Sequence, residues 1–338
     1  MKTNGRNTMP TVQQWTPVVQ RMADRSHLSS VLTGLTGLLT VAIVGIGWGN
    51  PAGAQTELTQ AQVYKVTNTV DLNRQNQNAW APAHVGDTLV PQDAVRTAMQ
   101  SRAELLFNEG TLVRTGEGTI FRFAPGRRTM ELVDGSALIM IRPGQGDSHV
   151  QTPQAAIVAH GTGLFVQHDA QKNTSIVGVL TNSPAGPVSV TDLNGQRTVE
   201  LTAGQFVSVA NGVVGLVETF VLPLFYQSVD LASGLGLGQE NLIAGESAPV
   251  QETINAVRAE ATEPLQSQMV WLEDFCRRST GSFESILQTS PLLQLLLPPS
   301  VPPIELTVST PEQDLVVTPI QSIAGVLWLG NYCQQRPQ

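Results

Sequence analysis

Residues 150–179 read VQTPQAAIVAHGTGLFVQHDAQKNTSIVGV. A Thr152-Pro153 turn leads into an apolar run from Ala155 to Ala159, which the corner His160-Gly161-Thr162-Gly163 interrupts. A second run covers Leu164 to Gln167. The polar tip His168-Asp169-Ala170-Gln171-Lys172-Asn173 then opens a third run, Thr174 to Val179. Short runs separated by turn chemistry predict strands, and each such strand can bury a face only by stacking on its neighbours. The stretch predicts a compact all-β unit.

The same texture extends outward on both sides. Ser101 to Phe107 alternates polar with apolar residues, Asn108-Glu109-Gly110-Thr111 turns it, and Leu112-Val113-Arg114 returns. Thr119 to Phe123, Glu131 to Val133 and Ala137 to Ile141 follow. Beyond the central stretch lie Val188 to Thr191, Thr198 to Leu201 and Gln205 to Val209, with Asn194-Gly195 and Asn211-Gly212 as hairpin signals. Helical periodicity is absent from His84 to Gly212. The predicted fold class is mainly β, a short-stranded solenoid- or sandwich-like domain, followed by a partly helical, proline-rich C-terminal region.

An ordered set of small motifs carries a resemblance. Val85-Gly86-Asp87, Arg96-Thr97, Ala103-x-Leu105-x-Phe107-x-x-Gly110-Thr111 and Gly135-x-Ala137 come first. Val150-x-Thr152-Pro153-x-Ala155, Gly161-Thr162-x-x-x-Val166 and Leu201-x-Ala203-Gly204-Gln205 complete the series. In this order they resemble the FecR domain, over residues 84–212. The resemblance implies a periplasmic, solenoid-like β domain that relays signals in iron-siderophore uptake and occurs on many other exported proteins. Two features depart from it. The best-known members place a folded sigma-factor-binding domain before a transmembrane helix, where this chain has a short tail. The family also usually has Arg before the Gly-Thr, where this chain has His160.

At the amino-terminal end, Met1 to His27 is polar and Leu28 to Trp48 is uncharged and apolar. Ala52-x-Ala54 is the small-x-small pattern that a signal peptidase accepts, so one reading is an export signal cleaved between Ala54 and Gln55. The other is an uncleaved anchor, since Leu28 to Trp48 is long enough to span a bilayer. The organisation expected is 1–54 export signal or anchor, 55–83 lead-in, 84–212 β domain, 213–249 linker and 250–338 helical and proline-rich accessory region. Val213 to Gln227 reads as a strand or helix leaving the β domain, and Ala232 to Gly238 as a flexible linker. Val250 to Gln288 reads as helix in one or two pieces, because Ile254, Val257, Ala261, Leu265, Met269, Leu272 and Cys276 form one apolar stripe. That stripe is expected to pack on the chain's own β domain. Cys276 and Cys333 are the only cysteines, and in an exported chain an even pair favours one disulfide over two free thiols.

The net charge is −8, with +3 on the first 54 residues and −11 on the remainder; sixteen of nineteen basic residues are arginine. So acidic a body repels nucleic acid and anionic lipid, and membrane association is expected only if Leu28–Trp48 is retained. The sequence contains no H-E-x-x-H, G-x-S-x-G, C-x-x-C or Walker loop. His149, His160, His168 and Asp169 fall on or beside the central strands, where turn and strand-end roles account for them without metal. No catalytic residue, metal or cofactor is therefore expected. The expected function is an exported, periplasmic, non-catalytic binding or sensing module for an envelope protein or small ligand. Its candidate contacts are His160, Gly161, Thr162, His168, Asp169 and Asn173. The alternatives are a membrane-anchored signal transducer of the iron-uptake type, held at the inner membrane, and an envelope structural or polymer-binding protein.

Overall fold

The structure is a computed structural model. It describes residues 56–278, apart from Asn76, Asn78 and the side chains of 275–278. All of these belong to one compact unit, Gly53–Gln338.

The fold is organised by one long strand, β9 (Thr129–Met140), which contributes to two sheets in turn. Its first half pairs with β8 (Ile120–Phe123) through Asp134, and its second half pairs from Gly135 onward with β12 (Gly163–Asp169). Gly135 sits at the crossing with φ +85°, in the region that favours glycine. The first sheet runs β4 (Thr88–Leu89), β1 (Ala61–Thr67), β6 (Arg102–Phe107), β7 (Leu112–Thr115), β9, β12, β13 (Thr174–Val179), β16 (Gln205–Ala210), β17 (Val213–Thr219). The second runs β3 (Trp80–Pro82), β2 (Val70–Asn73), β5 (Ala94–Thr97), β8, β9, β10 (Ser148–Gln151), β11 (Ala155–Ala159), β14 (Val188–Asp192), β15 (Thr198–Leu201). Among the described residues, only the β9–β10 pairing is parallel. The mainly β class expected from the sequence is the one observed, in the form of two packed sheets.

The main core lies between the sheets and includes Val63, Leu105, Val113, Phe121, Leu132, Ile139, Ile157, Val166, Val190 and Val207. Over its central strands the first sheet is buried on its other face as well, while the edge strand β17 is mostly exposed. Leu112, Leu138, Met140, Phe165 and Phe206 point outward into a second cluster with the helical segments. This explains why Ala137 to Ile141 is a continuous apolar run while Arg102 to Phe107 alternates: a strand covered on both faces needs apolar residues at every position. In the second sheet β8, β10 and β14 do alternate, with outward residues that are exposed or only partly buried, whereas in β5 Arg96 alone is exposed.

The cover on the first sheet is made by α1 (Leu222–Ser228) and α2 (Ala248–Arg278), joined by 3-10 turns at Asp230–Ala232 and Glu240–Ile243. The segment after the β domain, read as strand or helix, is both: β17 and then α1. α2 is continuous through Pro264, so the proline does not divide it. Its stripe Val250, Ile254, Val257, Ala261 and Leu265 docks on the sheet. Residues 279–288 of the expected helix lie outside the described residues. Burying each such side chain stabilises by about 1.5–3 kcal/mol, which exceeds anything helix propensity supplies.

Two regions read from sequence as a lead-in, with one strand candidate at Gln62 to Val66, and as a linker take part in the packing. Residues 55–83 supply β1, β2 and β3, with β1 pairing along β6 from Ala61↔Phe107 to Thr67↔Arg102. Of residues 232–238, read as a flexible linker, Ala232 and Gly234 to Gly236 are buried. The guanidinium of Arg114, itself buried, donates to Leu231 O at 2.9 Å and Ser233 O at 2.6 Å. Arg258 donates to Gly234 O at 2.7 Å. Arginine donors aimed at successive carbonyls hold a glycine-rich segment that no regular ladder could satisfy.

Candidate functional site

β12 separates the corner and the tip that the sequence singled out. It is seven residues long, which places its ends about 20 Å apart. His160, Gly161 and Thr162 stand at one end, and His168, Asp169 and Asn173 at the other, so the six residues do not form one site.

At the corner, His160 Nδ1 lies 2.7 Å from Asp147 Oδ1, and its side chain is 24% exposed. Gly161 has φ +70°, and an added Cβ would stand 2.7 Å from Pro143 Cα. Thr162 is fully buried. Its hydroxyl reaches Thr181 O at 2.9 Å and Thr181 Oγ1 at 2.8 Å. At the tip, His168 is buried, with Nδ1 2.9 Å from Ser175 Oγ, which in turn donates to Thr152 Oγ1 at 2.7 Å. Burial pushes the His168 imidazole below its ordinary value, with Asp134 and Asp169 pulling it partly back. Asp169 Oδ1 accepts from the backbone of Gln171 and Lys172, which closes the turn. Asn173 adopts φ +51°, accepts from Gln154 Nε2 at 2.7 Å and donates to Asn211 Oδ1 at 3.1 Å. The contact role expected of Thr162 and His168 is therefore corrected. Both are interior side chains whose polar atoms are spent on the fold. His160, Asp169 and Asn173 keep accessible surface.

Two further features had no signal in the sequence. The first is a cavity of about 670 Å3 where the helical cover meets the β6–β7 turn, lined by Gln60, Gln62, Thr88, Asn108, Glu109, Arg142, Glu252 and others. Behind it Arg128, with no exposed side chain, lies 3.4 Å from Glu109 and donates to Ser148 Oγ and Thr56 O. Burial pushes the Arg128 guanidinium down and Glu109 pulls it back up. A buried pair of this kind is costly to break, about 3–5 kcal/mol, because either partner alone is an uncompensated charge. The second is the uncovered face of the second sheet. There Arg96 pairs with Asp71 at 2.6 Å and Arg122 with Glu131 at 2.7 Å, and the Arg96 guanidinium sits 4.6 Å from the Trp80 ring centroid. Arginine and tryptophan on a flat, rigid face are the residue types that anchor protein interfaces.

Among the described residues no three His, Cys, Asp or Glu side chains converge as metal ligands. No helix there is long and apolar enough to cross a membrane. The segment Leu28–Trp48, the site Ala54–Gln55, Cys333 and the Cys276 side chain lie outside the described residues.

Residues 93–184 match the family model described as FecR protein, from the start of β5 to just past β13. The family named by the match is the one that the ordered motifs resemble. The chain is also similar to two crystal structures of a "putative anti-sigma factor" from Parabacteroides distasonis ATCC 8503. The 1.65 Å structure shares 18% identity at a TM-score of 0.34, over 44% of this chain and 73% of that one. The 2.50 Å structure shares 19% at the same TM-score, over 44% and 72%. At that TM-score neither likeness bears on this chain's activity. No curated protein matches the chain.

Proposed function

We propose that this chain is an exported, non-catalytic FecR-like module that binds a protein of the cell envelope through the exposed face of its second sheet. The observation that carries the reading is the asymmetry of the sandwich. One sheet is covered over its central strands by α1 and α2, while the other presents Trp80, Arg96, Asp71, Arg122 and Glu131 on a rigid two-sheet support, within and beside the FecR match. Rigid support lowers the ordering cost of binding, and the arginine–carboxylate pairs supply orientation. Relay of a signal is the activity that the FecR resemblance brings with it. His160, Asp169 and Asn173 are secondary contact positions on this reading.

Export is supported by Leu28–Trp48 followed by Ala52-x-Ala54. The intact mass of the protein recovered from its native envelope fraction tests it. A chain beginning at Gln55 and released without detergent is expected. A chain retaining Leu28–Trp48 and found only in the membrane pellet would replace this reading with the anchored transducer.

A further inference from the structure

β17 ends the first sheet on one side, and among the described residues it pairs with β16 alone. Phe220 N donates to Gly204 O at 2.8 Å, next to the register pairs Gln205↔Thr219, Phe206↔Glu218 and Val207↔Val217. That bond fixes the alternation of an antiparallel ladder. Glu218 turns its peptide groups toward β16, and Val217 and Thr219 turn theirs to the open edge. Nearer the hairpin the edge is closed, because Arg197 Nη1 donates to Val214 O at 3.1 Å. The side chains show the same opening. Val217 lies opposite Val207, on the face that looks into the core between the sheets, yet Val207 is fully buried and Val217 is 39% exposed. Leu216 beside it is 75% exposed. A strand edge with outward peptide groups and uncovered apolar side chains is a template for one more strand.

We propose that the occupant of this edge is the chain's own segment 304–309, added to β17 as a further strand that covers Val217. The chain brings the segment to the right place. Gln268 of α2 accepts from Leu222 N at 2.6 Å and donates to Phe220 O at 3.0 Å, so α2 passes the exit of β17. From there α2 runs on to Arg278, about 15 Å further, and residues 279–338 follow it in the sequence. The intervening residues 279–303 can span up to about 85 Å, so reach sets no limit. Such a tether keeps the segment at an effective concentration on the order of millimolar. The sequence of the segment fits the edge. Ile304-Glu305-Leu306-Thr307-Val308-Ser309 alternates apolar with polar at each position, with Pro302-Pro303 before it and Pro311 soon after. Period two gives one apolar face, Ile304, Leu306 and Val308, which is what the uncovered side of Val217 requires. Proline at both ends suits an edge strand, beyond which no further strand pairs.

Hydrogen exchange resolved to single amides in the full chain tests this. The outward N–H groups of Val217 and Thr219 are expected to be protected at least about tenfold, the worth of one backbone hydrogen bond, and equally so on dilution. Leu306→Asp puts a charge on the apolar face of the segment and is expected to abolish that protection. The amides of Phe206 and Glu218, which bond within the β16–β17 hairpin, are expected to keep theirs and so report that the variant is folded. A photo-crosslinker at the exposed Leu216 gives a second readout, independent of the variant, and is expected to join residues 304–309 of the same chain. Unprotected Val217 and Thr219 in the wild type, protection unchanged in Leu306→Asp, or a crosslink to any other segment would each overturn the inference. Protection lost on dilution, with a crosslink between chains, would overturn it in favour of a second copy.

Discussion

Replacing Gly135 by alanine places one methyl group at the point where β9 passes from one sheet to the other. Two costs arise there and they can be separated. The first is conformational, because a residue with a Cβ at φ +85° is strained by about 1–3 kcal/mol. The second is steric. The new Cβ would stand 2.5 Å from Thr119 Cα and 2.9 Å from Gly118 O, both backbone atoms, so the turn between β7 and β8 must shift. That turn is bonded to the crossing by Ser136 N to Thr119 Oγ1 at 3.0 Å and Thr119 Oγ1 to Ser136 O at 3.1 Å. Overpacking of this kind costs about 1–3 kcal/mol. The sum is about 2–6 kcal/mol, a large fraction of the roughly 5–15 kcal/mol that holds a domain together. Gly86→Ala supplies the control, since Gly86 has φ +97° but nothing within 4 Å of the added methyl. Urea titration of both variants reads the difference in midpoint at constant slope. Gly135→Ala is expected to lose about 1–3 kcal/mol more than Gly86→Ala. Equal losses would refute the idea that close backbone packing at the crossing holds the two sheets together.

Other parts of the structure lead to further expectations. Leu138 is fully buried under the helices, so Leu138→Ala is expected to cost about 2–5 kcal/mol by calorimetry and to loosen α2 before the β sandwich, as hydrogen exchange would show. Arg114→Met removes the donors that hold Leu231 and Ser233 carbonyls, and limited proteolysis at 230–240 is expected to speed up while the sandwich survives. Tyr226 is buried and donates to Leu180 O at 2.9 Å; Tyr226→Phe is expected to lower stability by about 1–3 kcal/mol through the orphaned carbonyl. His168 gives the tip a pH dependence of its own. Its folded-state value lies below 6.5, so its share of stability is complete above pH 6.5 and is lost as pH falls, which exchange at the tip between pH 7 and pH 5 would reveal.

Much of the sandwich was legible because its signals are local. Alternation in Arg102–Phe107 gave a strand with one face inward, and its burial alternates residue by residue. Asn211-Gly212 closes the β16–β17 hairpin with both residues at positive φ, the geometry that its composition favours. The stripe Ile254, Val257, Ala261 and Leu265 announced a docked helix. Long-range facts were less accessible. Nothing local tells β1 to pair with β6, or Arg128 to lie buried beside Glu109, because both depend on which turns meet in space. His168 looked like a polar tip residue and is interior, since the strand carries its side chain inward for one residue beyond the apolar run. Glu260 sits among exposed helix positions in sequence, and only the fold brings it within 3.1 Å of the Thr181 hydroxyl, which donates to it.

The proposed function turns on whether the open face of the second sheet meets a partner. Photo-crosslinkers placed at Arg96 and Gln151 on that face, and at the exposed Asn255 on α2, would be compared in the native envelope. The captured protein would then be purified and titrated against the wild type and an Arg96→Glu, Arg122→Glu variant. Capture of one and the same envelope protein from both sheet positions and not from α2, with affinity lost in the variant, is the expected result. Capture independent of position, or unchanged affinity in a folded variant, would contradict the account.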